Sequence, residues 1–447
     1  MATTTSTTSH PIRIHDLPVE IVGAIFTHCI PFDDRHPSQR DAPLLLGRVC
    51  ARWRCIALST PLLWSRLTLA VTRPLKSAGL LSLVRVWLER GQNSALSLNV
   101  RVNFDSAISQ ALVHLLISRS ARWLDAKLVL SYRCLNSLPF PEGLPQLRTL
   151  TLGCWGLVDE DFPAFKSAGK LRDVRLEIVG HKHTLPPYHQ CIIPWSQLTR
   201  FTAVKLGLAE CVRVLAAGKG LLECRFLDVA HGDAPELQLT CPLEILELTS
   251  AHTNLSSLWD ALTMPRLRKL HLGVQPCPAL DAFIQRSSTS LRSLTVTGPQ
   301  IARHVGRSAW LAEMPELAQL NIRGADKEAS ESLFYLLTPN DDDSRPAILP
   351  NLTDLLITDV VSRPPVPLSL YDPLLGALRA RRWPTVHEGP PQSARLGRFA
   401  FGWVRGDVEF ALGARFVNGL KLLREDGMFV EVGPMDSVGA IGSQGTH

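Results

Sequence analysis

Leu267-Arg268-Lys269-Leu270-His271-Leu272 is one copy of a short phrase that returns along the middle of the chain. Before it stand Leu147-Arg-Thr-Leu150-Thr-Leu152, Leu171-Arg-Asp-Val174-Arg-Leu176, Leu198-Thr-Arg-Phe201-Thr-Ala203, a weaker Leu222-Glu-Cys-Arg225-Phe226-Leu227 and Leu243-Glu-Ile-Leu246-Glu-Leu248. After it come Leu291-Arg-Ser-Leu294-Thr-Val296, Leu317-Ala-Gln-Leu320-Asn-Ile322 and Leu352-Thr-Asp-Leu355-Leu-Ile357. The starts lie 24, 27, 24, 21, 24, 24, 26 and 35 residues apart. Apolar residues alternate with polar ones inside most copies, which is the period of a strand with one buried face. Recurrence at this interval means a stack of similar units, none of which buries its apolar face alone.

Between the phrases lie segments of helical spacing, such as Leu255, Leu258, Trp259 and Leu262, or Leu280, Phe283 and Ile284. They predict helices packed on one side of parallel strands, so the fold class is α/β. Phrase and period together resemble leucine-rich repeats. That resemblance implies an irregular solenoid with helices or loops on its outer side. The chain departs from the family's regular form after the strand, where an Asn usually satisfies buried backbone groups. Trp155, Ala251, Gln275 and Pro299 stand there instead. Leu96, Leu98 and Val100, then Trp123, Leu124, Leu128 and Leu130, read as degenerate first repeats. An unrelated α/β domain with Leu-rich strands is the competing reading. Beyond Ile357, Leu374, Leu375 and Leu378 predict a helix, Arg398–Val404 a strand, Leu412–Leu423 a helix and Met428–Val432 a last strand. Such a terminal unit would shield the open end of a stack.

The N-terminal region has a different pattern. Leu17-Pro18-Val19-Glu20-Ile21 opens a helix, with Pro18 suited to the first turn and Glu20 to the positive end of the helix dipole. Ile21, Val22, Ile25, Phe26 and Cys29 follow at helical spacing. A second helix carries Val49, Trp53, Ile56 and Ala57, and Pro61-Leu62-Leu63-Trp64 follows. This is more apolar surface than a unit of that size can bury, which points to a partner. Leu-Pro-x-Glu-Ile, Val49-Cys50-x-x-Trp53-Arg54 and Pro61-x-Leu63-Trp64, in that order, resemble an F-box over residues 12–67. The stretch Pro31–Pro43 is longer than the link usual in that family and reads as an exposed loop. An ordinary small helical cap is the alternative.

The resemblance implies a substrate-recognition subunit of a Skp–cullin–F-box ubiquitin ligase, related in look to the F-box proteins numerous in mushroom-forming fungi. The partners implied are the Skp adaptor, cullin through that adaptor, and a target protein. Adaptor contacts are expected at Leu17, Pro18, Ile21, Trp53 and Leu63. The expected organisation is a disordered 1–11, the F-box at 12–67, a helical linker at 68–93, the repeat domain at 94–432 and a disordered tail at 433–447. Within each phrase the residues between the apolar positions must face away from the core, along the inner surface of the stack. From that row Arg175, Lys269, His271, Asn321 and Arg323 are expected to contact the target. The competing function is a repeat scaffold with no ligase association.

Chemistry of other kinds finds little support. The chain of 447 residues carries a net charge of +6, and its Lys and Arg are scattered rather than gathered with aromatics, so nucleic-acid binding is not indicated. No run of eighteen apolar residues exists and no membrane span is expected. Ten cysteines with no secretory signal predict reduced thiols in cytoplasm or nucleus. A nucleophile elbow, a phosphate loop and a Cys-x-x-Cys pair are all missing, so the chain is read as non-catalytic and without cofactor or metal. His181, His183, His189 and Cys191 have the ligand types zinc prefers, but at a spacing that matches no known finger. An exposed His-rich loop is the simpler reading there. Asp341–Asp343 reads likewise as a solvated loop tip.

Overall fold

The computed structural model describes residues 13–31, 37–71, 79–131, 134, 143–155, 165–178, 193–230, 232, 237–250, 254–307, 309–337, 349–360, 371–382, 394–403 and 414–434. The N-terminal 1–11, the His181–Cys191 loop, Asp341–Asp343 and nearly all of the expected tail lie outside them. The chain divides into two compact units, Met1–Leu198 and Thr199–His447. Both are α/β, built on parallel strands with helices in the connections.

The first unit opens with three helices, α1 (Val19–Thr27), α2 (Leu46–Val49) and α3 (Ala51–Ser59), and a 3₁₀ turn at Pro61–Trp64. Five parallel strands follow in sequential order: β1 (Arg66–Val71), β2 (Leu96–Val102), β3 (Trp123–Ser131), β4 (Thr149–Trp155) and β5 (Asp173–Ile178). Helices α4 (Gly79–Arg90) and α5 (Ala107–Ile117) make the first two crossovers. Of the expected helical linker at 68–93, Gly79–Arg90 is helix, while its first residues belong to β1. Leu67, Leu69 and Val71 alternate into the core and form the first strand of the sheet. The stack begins directly after the 3₁₀ turn, because Pro61 ends α3 and the next residues have strand rather than helix period.

In the second unit nine parallel strands run in the order β6 (Arg200–Val204), β7 (Glu223–Leu227), β9 (Ile245–Thr249), β11 (Lys269–Gly273), β12 (Ser293–Thr297), β13 (Gln319–Arg323), β14 (Asp354–Val360), β15 (Arg398–Trp403) and β16 (Phe429–Pro434). A separate two-residue pair joins β8 (Leu239–Thr240) to β10 (Leu262–Thr263). Connecting helices are α6 (Leu208–Ala217), α7 (Ser256–Ala261), α8 (Pro278–Ser287), α9 (Pro299–Arg307), α10 (Lys327–Leu337), α11 (Tyr371–Arg382) and α12 (Ala414–Glu425).

The phrase fixes the register. Leu246, Leu270, Leu294, Leu320, Leu355 and Phe399 lie side by side across adjacent strands, and all are buried. One carbonyl per copy also accepts two amides from the next: Arg268 and Lys269 donate to Glu244, Arg292 and Ser293 to Arg268, Ala318 and Gln319 to Arg292. The same pair recurs when Gly397 and Arg398 donate to Thr353. The C-terminal strands thus continue the sheet in register rather than forming a different terminal unit.

Backbone replaces the missing turn Asn. Amides leaving the strands bond across to the neighbouring carbonyl: Val229 to Thr249 at 2.9 Å, Ser250 to Gly273 at 2.8 Å, Gly298 to Arg323 at 2.8 Å and Gly324 to Thr358 at 2.9 Å. The chain must turn sharply there, and Gly298 (φ 107°) and Gly324 (φ 70°) take the left-handed conformation that side chains resist.

Candidate functional site

Two surfaces answer to the expectations from sequence. The first is on the N-terminal helices. Helix α1 is apolar on more than one side: Val22 and Phe26 are buried, while Val19, Ile21 and Ile25 are 51, 50 and 40% exposed. Phe26 packs on Trp53 with ring centroids 4.8 Å apart, and Gly23 lets α1 approach Thr60 closely. Of the fourteen exposed large apolar residues among those described, eight lie between Ile14 and Leu62. Burying one aliphatic side chain is worth about 1.5–3 kcal/mol, so this exposed set leaves a sizeable apolar contribution unrealised in the chain alone.

Leu17 is half-buried and Pro18 exposed. Arg52 on α3 holds them in place, donating to the Leu17 carbonyl at 2.7 Å and to that of His15. Ile21 and Trp53 are exposed and half-buried respectively. Leu63 is a correction: its exposure is 0%, so it belongs to the core and cannot meet a partner. Successive residues of a 3₁₀ turn point about 120° apart, and Leu62, at 57% exposure, takes the outward place that the sequence reading gave to Leu63. Val49 and Leu58 add to the exposed set, which the motif alone does not mark.

These helices are joined firmly to the first strands. Trp64 donates to Ala57 at 2.9 Å and meets Trp87 of α4 edge-on at 4.9 Å, and Arg90 lies over the Trp64 ring. Trp87 donates in turn to the Arg66 carbonyl at 3.0 Å. Arg122 bonds the carbonyls of Ser94 and Leu88, and burial lowers its pKa.

The second set lies, in each unit taken by itself, on the strand positions that alternate with the buried ones. In the first unit it carries Arg175, half-exposed and paired with Glu177 at 3.0 Å. In the second unit the register brings Lys269, His271, Asn321 and Arg323 onto one face, two strands apart with β12 between them. The centre of that face is a polar chain. Arg225 lies 2.6 Å from Glu223 and 3.6 Å from Glu247; His271 Nδ1 is 3.0 Å from Glu247 and its Nε2 is 2.9 Å from Thr297 Oγ1. The hydrogen bond from His271 holds the Glu247 carboxyl below its ordinary 4.5 against the effect of burial, with attraction to His271, Arg225 and Arg323 adding to it. The Asn321 amide oxygen is buried without a hydrogen-bond partner.

The row in the second unit is mixed at its far end: Thr358 is buried and Leu356, Ala400 and a half-exposed Phe429 are apolar, while Asp354, Arg398 and Glu431 keep it charged, Arg398 lying 3.6 Å from Glu431. Sequence reasoning did not single out Arg225 or Glu247, although their alternation within the phrase placed them on this face.

No group of three His, Cys, Asp or Glu close enough to hold a metal occurs among the described residues, and no helix there is long and apolar enough to cross a membrane. Cys211, Cys224 and Cys241 are buried and free; burial raises all three thiols, Cys241 to about 11. Among the described cysteines, Cys29 and Cys55 are exposed and Cys50 and Cys277 are half-buried. Compared with family models and with curated proteins, the chain matches none.

Proposed function

We propose that the chain is the substrate-recognition subunit of a Skp–cullin–F-box ubiquitin ligase, with residues 12–67 as an F-box and the strands that follow as a leucine-rich-repeat-like receptor. The observation that carries this reading is the apolar set Val19, Ile21, Ile25, Val49, Leu58 and Leu62, exposed on the small helical unit that bears the Leu17-Pro18 motif. An exposed apolar set of this extent on so small a unit is the make-up of an interaction site. The firm joint through Trp64 and Trp87 suits a receptor, because a held orientation raises the local concentration of the target near the transferring enzyme. The protein itself makes and breaks no bond in this scheme. A scaffold role without ligase association leaves the exposed apolar set unexplained.

Affinity capture under proteasome inhibition tests the reading, comparing the intact chain with one lacking 12–67. Recovery of adaptor, cullin and ubiquitin-bearing proteins with the intact chain only supports it. Equal recovery of the same partners by both forms, or none of the adaptor with either, refutes it.

A further inference from the structure

Within the second unit, three neighbouring copies of the phrase each give one residue to a short polar relay. Glu247 is on β9, His271 on β11 and Thr297 on β12. They lie 24 and 26 residues apart in the chain, so the register rather than any local motif brings them together. His271 Nδ1 is 3.0 Å from Glu247 Oε1, and its Nε2 is 2.9 Å from Thr297 Oγ1. Arg225 lies 3.6 Å from the other oxygen of Glu247.

The carboxylate assigns the roles of the two ring nitrogens. Glu247 is held below its ordinary 4.5, so near neutrality it is ionised and only accepts hydrogen bonds. The proton of the neutral imidazole therefore sits on Nδ1, and Nε2 is left as an acceptor facing the Thr297 hydroxyl. A carboxylate that orients an imidazole, whose remaining lone pair meets a hydroxyl, is the arrangement that activates a hydroxyl nucleophile. Thr297 is exposed, while His271 and Glu247 are half-buried. Arg323, also exposed, lies opposite Thr297 on β13, which puts a cation beside the hydroxyl. The neighbour of Thr297 on β11 is Gly273, which brings no side chain over it.

We infer that Thr297 is the nucleophile of an ester-cleaving site, with His271 as general base, Glu247 as its positioning residue and Arg323 as the cation for the developing oxyanion. Thr297 Oγ attacks the ester carbonyl carbon while its proton passes to His271 Nε2. The bond from that carbon to the alkoxy oxygen breaks, and the alcohol leaves with the proton from His271. Water, deprotonated by the same nitrogen, then displaces the acyl group as a carboxylic acid and restores the Thr297 hydroxyl. The activity lies outside the ligase reading and uses none of the adaptor-docking residues, so either can fail alone.

The test is labelling of the full chain with a fluorophosphonate, an ester mimic whose adduct does not clear. Thr297 Oγ bonds to phosphorus as fluoride leaves, and peptide mass spectrometry locates the adduct. Thr297 should label at least about a hundredfold faster than the exposed Thr240. His271→Asn should slow labelling about a hundredfold, and Arg323→Gln about tenfold. Glu247→Gln should slow it too, with part of the rate recovered in Glu247→Asp, a rescue that a merely structural role would not give. Thr297→Val should remove most of the chain's hydrolysis of 4-nitrophenyl acetate, and Thr297→Ser should keep it. Should His271→Asn melt early, Arg323→Gln at its exposed position carries the comparison. Labelling of Thr297 no faster than of Thr240, labelling unaltered in the folded variants, or hydrolysis unaltered by Thr297→Val overturns the inference.

Discussion

Single side chains decide which of two adjacent leucines meets a partner. Leu62 and Leu63 are indistinguishable by composition, and the motif points to Leu63; the rotation of a 3₁₀ turn sends Leu62 outward instead. Thr358 is a similar case: alternation beyond Leu355 and Ile357 would turn it outward, yet it is buried. Alternation is blind to what covers a face. At Glu247 a residue-scale prediction follows from the sign of its shift. Its folded pKa lies below the ordinary 4.5, so its interactions stabilise the fold above that pH and are lost as the pH falls through the folded value. Melting temperatures of the intact protein and Glu247→Gln should differ at neutral pH and converge on acidification below 4.5. A gap that widens in acid would contradict the His271–Glu247 assignment.

At the scale of elements, the strands in the repeat were legible because the phrase carries both a period of two and a recurrence near twenty-four residues. Beta-strand β1 was missed for a physical reason: Leu67 comes so soon after the apolar Leu62-Leu63-Trp64 run that it reads as part of it, and only Leu69 and Val71 disclose the alternation. The C-terminal strands were read, but as a cap, since Leu396 follows Leu352 by 44 residues, well beyond the interval of the earlier copies. Helix packing was not legible at all. Helices α9 and α10 approach so closely that a Cβ on Gly306 would lie 2.8 Å from that of Ser332, while Arg303 reaches Asp326 and Glu328, and Arg307 reaches Glu328. Gly306→Val should therefore destabilise the second unit by about 1–3 kcal/mol through overpacking, read as a lower denaturation midpoint. Exposed Arg307→Ala should change it by no more than about 1 kcal/mol. Comparable losses from the two would show that the close approach is not what limits packing there.

For the whole molecule, the stretch Pro31–Pro43 shows how far composition can mislead. Pro, Asp and Ser read as an exposed loop, yet the structure lays part of it over the open strands, a long-range arrangement that no local pattern records. The joint at Trp64 and Trp87 is likewise invisible until β1 is placed. Removing it with Trp87→Ala should cost about 3–5 kcal/mol of stability in the first unit, measured by denaturant unfolding, whereas Ile21→Asp, on an exposed face, should leave the midpoint unchanged. That contrast allows the central claim to be tested without disturbing the fold. The measurement is the affinity of purified full-length chain for purified Skp adaptor, with and without Ile21→Asp and Leu62→Asp together. Truncating a central anchor typically costs about 2–4 kcal/mol, so the account predicts tight binding by the intact chain and at least about a hundredfold weakening in the folded double variant. No binding by the intact chain, or equal binding by both, would contradict it.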